Sequence, residues 1–192
     1  MIVLIHGKKR SGKDTLAGIL KELEPRLTVK SFAGPLKEIT AKSFDISLET
    51  VDYLKNNEDI KIEFTDSKEK LCTGNSVRNF LQNLGTEAIK PIFGNDVWAK
   101  LLIEGYNTQT HLLVPDFRVI EEYNTLTDVL GNDEIITVNI IRPDAEISGD
   151  THITEQGLAN FKFDYSIVNE GSLDDLRAEA TEFLAYLKGT IK

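Results

Sequence analysis

The chain has 192 residues, 41% hydrophobic and 28% charged, the size and make-up of one globular domain with a sizeable core. Its formal net charge of -9 argues against broad binding to nucleic acid or anionic membranes, and no apolar run approaches the roughly 20 residues that span a bilayer. The single Cys72 excludes an internal disulfide and has no metal-ligand spacing around it, all of which fits a cytosolic compartment.

Ile2 to His6 is a short apolar run leading into glycine, which predicts a buried strand rather than a signal-peptide core. Leu16, Ile19, Leu20 and Leu23 then follow helical spacing as far as Pro25. Leu27 to Ala33 reads as a second strand, stopped by Gly34-Pro35. From Pro35 to Tyr106 the patterns are helical and no strand is expected. Leu36, Ile39 and Phe44 mark one helix, Val77 to Ile89 another, and Val97 to Leu102 a third, while residues 56–75 are polar and charged. Strands resume at His111 to Asp116, before a helix over residues 119–130. They continue at Ile135 to Ile141 and at Tyr165 to Val168. A last helix carries Leu173, Leu176, Ala180, Phe183, Leu184 and Leu187 on one face. Strands alternating with helices predict an α/β fold, a parallel sheet covered by helices on both faces.

The first strand and helix are joined by Gly7-Lys8-Lys9-Arg10-Ser11-Gly12-Lys13-Asp14-Thr15, with the spacing G-x-x-x-x-G-K. Glycines let backbone N–H groups wrap phosphates, the helix N-terminus adds its dipole, and a lysine here reaches the outer phosphates. The pattern between a strand and an amphipathic helix is far more specific than the pattern alone. Lys8, Lys9, Arg10 and Lys13 make a cationic spot on an acidic chain, which suits a small anionic ligand. Asp14 departs from the usual serine or threonine that offers Mg²⁺ a hydroxyl. It reaches the metal through water or serves the helix N-terminus, and both readings stay open. Thr15 follows as a hydroxyl for the α-phosphate or the metal.

Three further segments form a set. In VPDFRVIEE, Asp116 closes a strand where open α/β sheets bind ligands, with Arg118 and Glu122 one helical turn apart. The acid can hold Mg²⁺-bound water and the arginine can grip phosphate, or the trio is a strand end and a surface ion pair. In SVRNFLQNLGTE, Arg78 and Gln82 share a helix face, fit for an acceptor phosphate and a base edge, or simply solvated. Arg142, at a strand end, precedes a polar segment suited to a lid, in which His152 is a ligand candidate or an ordinary loop histidine.

The fragments GKKRSGKDTLA, SFAGPLK, VRNFLQNLGTE, NDVWAKLL, VPDFRVIEE, IIRPD, GDTHITEQGL and DYSIVNEGSLDDL resemble, in that order, the bacteriophage deoxynucleoside monophosphate kinases. The GKD loop and the terminal D-x-x-I-x-N-x-G-S-L are also similar to the animal phosphomevalonate kinases. The resemblance implies a P-loop NMP-kinase-like three-layer sandwich with a five-stranded parallel sheet. Its core is 1–34, 109–142 and 163–192, with a helical acceptor-binding insertion at 35–108 and a lid at 143–162. It implies ATP- and Mg²⁺-dependent phosphorylation of deoxynucleoside 5′-monophosphates for phage DNA precursors, in the infected bacterial cytoplasm, with a homodimer as the family's assembly. It places Lys13 on the ATP phosphates, Arg142 on the ATP phosphates or the lid, Arg78 and Arg118 on the acceptor phosphate, Gln82 on the acceptor base or sugar, and Asn169 and Gly171 near adenine. A kinase of another phosphorylated metabolite, such as phosphomevalonate, and a non-enzymatic nucleotide-binding regulator are the alternatives. A guanine-reading N-K-x-D tetrad does not occur.

Overall fold

The computed structural model describes residues 1–65, 71–143 and 158–190. In chain order the elements begin β1 (Ile2–His6), α1 (Lys13–Leu23), β2 (Leu27–Val29), α2 (Gly34–Phe44) and α3 (Leu48–Asn56). There follow β3 (Lys61–Thr65), β4 (Leu71–Ser76), α4 (Val77–Gln82), a π-helical stretch (Asn83–Ile89), α5 (Lys90–Phe93) and α6 (Val97–Leu102). The chain continues through β5 (His111–Val114), α7 (Ile120–Leu130), β6 (Ile135–Ile141), β7 (Tyr165–Val168) and α8 (Leu173–Thr190). These elements divide into two units, Met1–Phe32 with Ala99–Lys192, and Ala33–Trp98.

The first unit holds a five-stranded sheet in the order β2-β5-β1-β6-β7, every pair parallel. β1 is central, with Val3 in register with Leu113 on one side and Ile136 on the other. A parallel strand covered on both faces has no polar side to show, so Ile2, Val3, Leu4 and Ile5 are all fully buried. Val3 and Ile5 join Leu16 and Leu20 of α1 and Phe183 and Leu187 of α8 in one core. Ile2 and Leu4 point to the opposite face by the two-residue period, and they, like the fully buried Leu126 of α7, stand outside that cluster. Each such side chain contributes about 1.5–3 kcal/mol through burial.

Two strands stop earlier than their composition suggests. β5 ends at Val114 because Pro115 lacks the N–H to continue a ladder. β2, at the sheet edge, ends at Val29, and the chain then turns to bring the Phe32 N–H to the Asp116 carboxylate, 2.9 Å away. On α8, Leu176, Ala180, Phe183, Leu184 and Leu187 are buried as expected, but Leu173 is exposed. It occupies the first turn, beyond the reach of the sheet.

In the second unit, Ser47 caps α3 by accepting from Thr50 N, and Ser76 caps α4 by accepting from Asn79 N. Phe44 of α2 meets Phe80 of α4 edge-on, with centroids 5.1 Å apart. The expectation of no strand between Pro35 and Tyr106 is corrected here: β3 and β4 form an antiparallel pair with Phe64 in register with Cys72. The helix expected over Val77 to Ile89 is α-helical only to Gln82 and then widens to the π form. Gly85, within that wider stretch, is buried so closely under Leu36 that a Cβ would lie 2.8 Å from Leu36 Cδ2.

Candidate active site

Because all five strands run the same way, their C-terminal ends share one edge of the sheet. That edge carries the glycine loop after β1, Asp116 and Arg118 after β5, Arg142 after β6, and Asn169 and Gly171 after β7. Open α/β sheets bind ligands at this edge.

The loop's two defining glycines are required by what surrounds them. A Cβ on Gly7 would lie 2.5 Å from both the Ile140 carbonyl and Ser11 Oγ. Gly12 has φ 102°, and a Cβ there would meet Asn169 Nδ2 at 2.6 Å. Arg10 also adopts the left-handed region, φ 65°, which a non-glycine residue holds only when its surroundings impose it. Gly12 stands directly before α1, and no side chain caps that end of the helix. The N–H groups of the first turn, at Lys13, Asp14 and Thr15, therefore lack an intrahelical acceptor, the kind of terminus that suits an anion.

Lys13 Nζ donates to the Gly7 and Lys8 carbonyls, 2.6 Å from each, so its ammonium lies across the loop it belongs to. Ser11 is fully buried, and its hydroxyl has no hydrogen-bond partner among the described residues. Lys9, Arg10, Asp14 and Thr15 are exposed. A closely packed glycine cradle, an uncapped helix terminus, a buried unpartnered hydroxyl and a lysine bridging the loop together fit the phosphates of a nucleotide. Among the described residues no three His, Cys, Asp or Glu side chains converge as a metal-holding group. Mg²⁺ carried on phosphate needs fewer protein ligands than that.

After β5, three consecutive residues are each held by a different partner. Asp116 Oδ1 accepts from Phe32 N at 2.9 Å, the Phe117 carbonyl lies 3.0 Å from His6 Nδ1, and Arg118 N donates to Glu122 Oε2 at 2.9 Å. Glu122 also accepts from Val119 N at 3.3 Å, which starts α7 in the manner of a capping-box glutamate. Glu122 thus orders the strand exit, and the Arg118 side chain is exposed beside it.

Asn169 is 4% exposed, and its amide donates to the Ser11 carbonyl at 2.8 Å. Its backbone N–H donates to Ile141 O at 2.7 Å. Asn169 therefore fastens the end of β7 to the phosphate loop. Exposed Gly171 precedes a reciprocal cap in which Ser172 N and Oγ both donate to Asp175 Oδ2 at 2.7 Å. The Ser172 hydroxyl, with its backbone N–H, holds the Asp175 carboxyl below the usual carboxylate range.

Arg78 and Gln82 belong to the second unit. Arg78 Nε lies 2.6 Å from Glu58 Oε1, an ion pair lying off hydrogen-bond alignment, and Gln82 is exposed. Arg142 is exposed at the end of β6. His152 and the stretch 144–157 of the expected lid lie outside the described residues. Sequence reading passes over His6 and Phe117. A histidine between an apolar strand and a glycine loop is visible, but its partner carbonyl stands 111 positions away.

Comparison with known proteins agrees with this architecture. Over 245 aligned positions the chain is 26% identical to the deoxynucleotide monophosphate kinase of Enterobacteria phage T4, covering 97% of this chain and 99% of the relative. The deoxynucleotide monophosphate kinase of Escherichia phage RB69 is 30% identical over 114 residues, covering 57% of this chain and 45% of the relative. The phosphate loop itself falls within the T4 alignment's near-complete span. Residues 48–180, well over half of the chain, match the family profile described as deoxynucleotide monophosphate kinase, and the chain belongs to that family.

Proposed function

We propose that the chain transfers the γ-phosphoryl group of ATP, with Mg²⁺, to deoxynucleoside 5′-monophosphates in the cytoplasm of an infected bacterium. The observation that supports this most is the glycine cradle at Gly7 and Gly12, closed beneath by Asn169 and crossed by Lys13. An acceptor phosphate oxygen is already anionic near neutral pH, so the chain needs no general base. Its residues have instead to align two anions and neutralise the charge shared between them.

In this reading Gly7, Lys9, Arg10, Ser11 and Gly12 wrap the ATP phosphates, and Lys13 leaves its loop carbonyls to meet them. Asp14, Thr15 and Asp116 would hold Mg²⁺, which when bound supplies charge neutralisation across the phosphates. Arg142 serves the ATP phosphates, Asn169 and Gly171 border adenine, and Arg78 and Arg118 take the acceptor phosphate. Gln82 reads the acceptor base or sugar, while Glu122 and His152 complete the substrate side. Residues 35–108 serve as the acceptor-binding insertion and 143–162 as the lid. The assembly proposed is a homodimer without nucleic-acid partners.

The test is chromatographic detection of ADP and product from Mg-ATP with dAMP, dCMP, dGMP, dTMP, the matching ribonucleotides and phosphomevalonate. Conversion of deoxynucleotides to diphosphates is expected. Turnover of phosphomevalonate alone, or nucleotide binding with no acceptor consumed, would overturn the proposal.

A further inference from the structure

His6 ends β1 directly before the glycine loop, and its Nδ1 lies 3.0 Å from the Phe117 carbonyl. A carbonyl only accepts, so Nδ1 carries the hydrogen, and the bond selects that tautomer of the ring. The imidazole also stacks on Phe163, with centroids 5.3 Å apart and planes 16° from parallel, and it meets Phe117 edge-on at 6.3 Å.

Both ends of this contact are anchored, His6 by the sheet and Phe117 by its ring, which is buried and meets Phe161 edge-on at 5.6 Å. The backbone of His6 is in register with Asn139 inside the sheet. Phe117 lies beyond the end of β5, in the turn that carries Asp116 and Arg118. Asp116 and Arg118 are each held from elsewhere, by Phe32 N and by Glu122. The carbonyl between them is held by His6. The donor on β1 thus fixes the carbonyl that lies between the two side chains assigned to metal and acceptor phosphate, while the Phe117 ring holds the other side of the chain in the core.

We infer that His6 is a positioning residue, which through the Phe117 carbonyl aligns Asp116 and Arg118 with the glycine loop. The inference rests on the kinase reading above. Loss of the bond leaves the β1 backbone and the glycine cradle in place and loosens the turn that carries Asp116 and Arg118. Small misplacements of aligned groups cost rate steeply.

Two substitutions separate the ring from the donor. His6→Phe keeps an aromatic ring against Phe163 and removes the donor. His6→Asn keeps an N–H near the position of Nδ1 and removes the ring. The expected result is a crossed one. His6→Phe melts near the wild type, holds its KM for ATP within about twofold and loses about tenfold in kcat/KM for the deoxynucleotide. His6→Asn melts lower yet recovers most of that acceptor efficiency. Activity that simply follows melting temperature across the series would overturn the inference, as would wild-type acceptor kinetics in His6→Phe.

A readout independent of turnover comes from ¹⁵N-histidine labelling and two-bond ¹⁵N–¹H correlation of the full chain. The chain has three histidines, and the His6 signals are those missing from His6→Asn. A neutral ring with its proton on Nδ1 supports the inference, and one with its proton on Nε2 overturns it. If the wild type turns over no deoxynucleotide, the kinase reading fails, and the tautomer still decides whether His6 holds Phe117.

Discussion

Lys13 is held in a position that makes its own test clean. Its ammonium bridges the part-buried Gly7 carbonyl and the exposed Lys8 carbonyl, backbone groups of the loop it belongs to, and no core side chain is removed with it. Lys13→Ala should therefore cut kcat by about 10²–10³-fold, the usual loss for one preorganised charge on a transferring group, with a far-ultraviolet spectrum and melting curve like the wild type. Full turnover in that variant would remove the loop from catalysis. Glycine gives a second contrast at this scale, between two positions six residues apart in and after the same loop. Gly12→Ala forces a side chain into φ 102° and against Asn169 Nδ2, and it should lower stability by about 1–3 kcal/mol and weaken ATP binding. Gly18→Ala, inside α1 with nothing beyond its own helical backbone within 4 Å of the added methyl, should raise stability by about 0.5–1 kcal/mol. Denaturant titration of both variants reads the opposite signs directly.

Among the elements, helix starts are where local chemistry is most exposed to test. Ser172 both donates to Asp175 Oδ2 and accepts from Asp175 N at 3.3 Å. Ser172→Ala removes both bonds of the hydroxyl, leaves the backbone N–H at that position on Asp175, and should cost about 1 kcal/mol, seen as a melting temperature lower by about 2–4 °C. An unchanged melting curve would show that packing of Phe183 and Leu187 alone fixes that helix.

Much at this scale is legible from residues. β6 lies where its largely apolar run begins and ends, because a buried parallel strand leaves that signature, and β7, an edge strand with only Ile167 buried, keeps its expected bounds as well. The glycine loop is legible for a similar reason, since spacing and backbone geometry there are one requirement. The β3–β4 pair is harder to read. Ile62 and Phe64 do alternate with Lys61, Glu63 and Thr65, but the run is short and charged residues surround it. The π-helical stretch has no residue signature, and the close approach of Leu36 to Gly85 within it joins residues 49 positions apart. Asn169 could be placed at the correct edge of the sheet. Its hold on the Ser11 carbonyl could not, because that partner is 158 positions away.

For the molecule as a whole, pH exposes a contact that ties the start of β1 to the turn before β6. The Met1 ammonium lies 2.8 Å from Glu134 Oε2, and Tyr106 donates to the same oxygen at 2.9 Å. The ammonium first, and Tyr106 after it, hold the Glu134 carboxyl below its ordinary value, while burial and the neighbouring carboxylate push the Tyr106 hydroxyl up. A carboxyl with a depressed folded pKa stabilises fully above its unfolded value, near 4.3, and loses that contribution as pH falls through the folded value. Thermal melts from pH 7 down to pH 3 should show Glu134→Gln less stable than wild type at neutrality. The two curves should converge at the acidic end, and a constant gap across the range would reject the ion pair as the cause.

The order β2-β5-β1-β6-β7 also has a meaning in time. A ribosome makes β1 first, yet both of its neighbours, β5 and β6, come from residues 111–114 and 135–141. The nascent glycine loop must wait without a sheet to support it. It still lacks its lower wall until Asn169 has emerged to bond Ser11. The cradle is therefore completed late in translation and in stages, so a chain cut short before Asn169 would carry the whole loop without its last support.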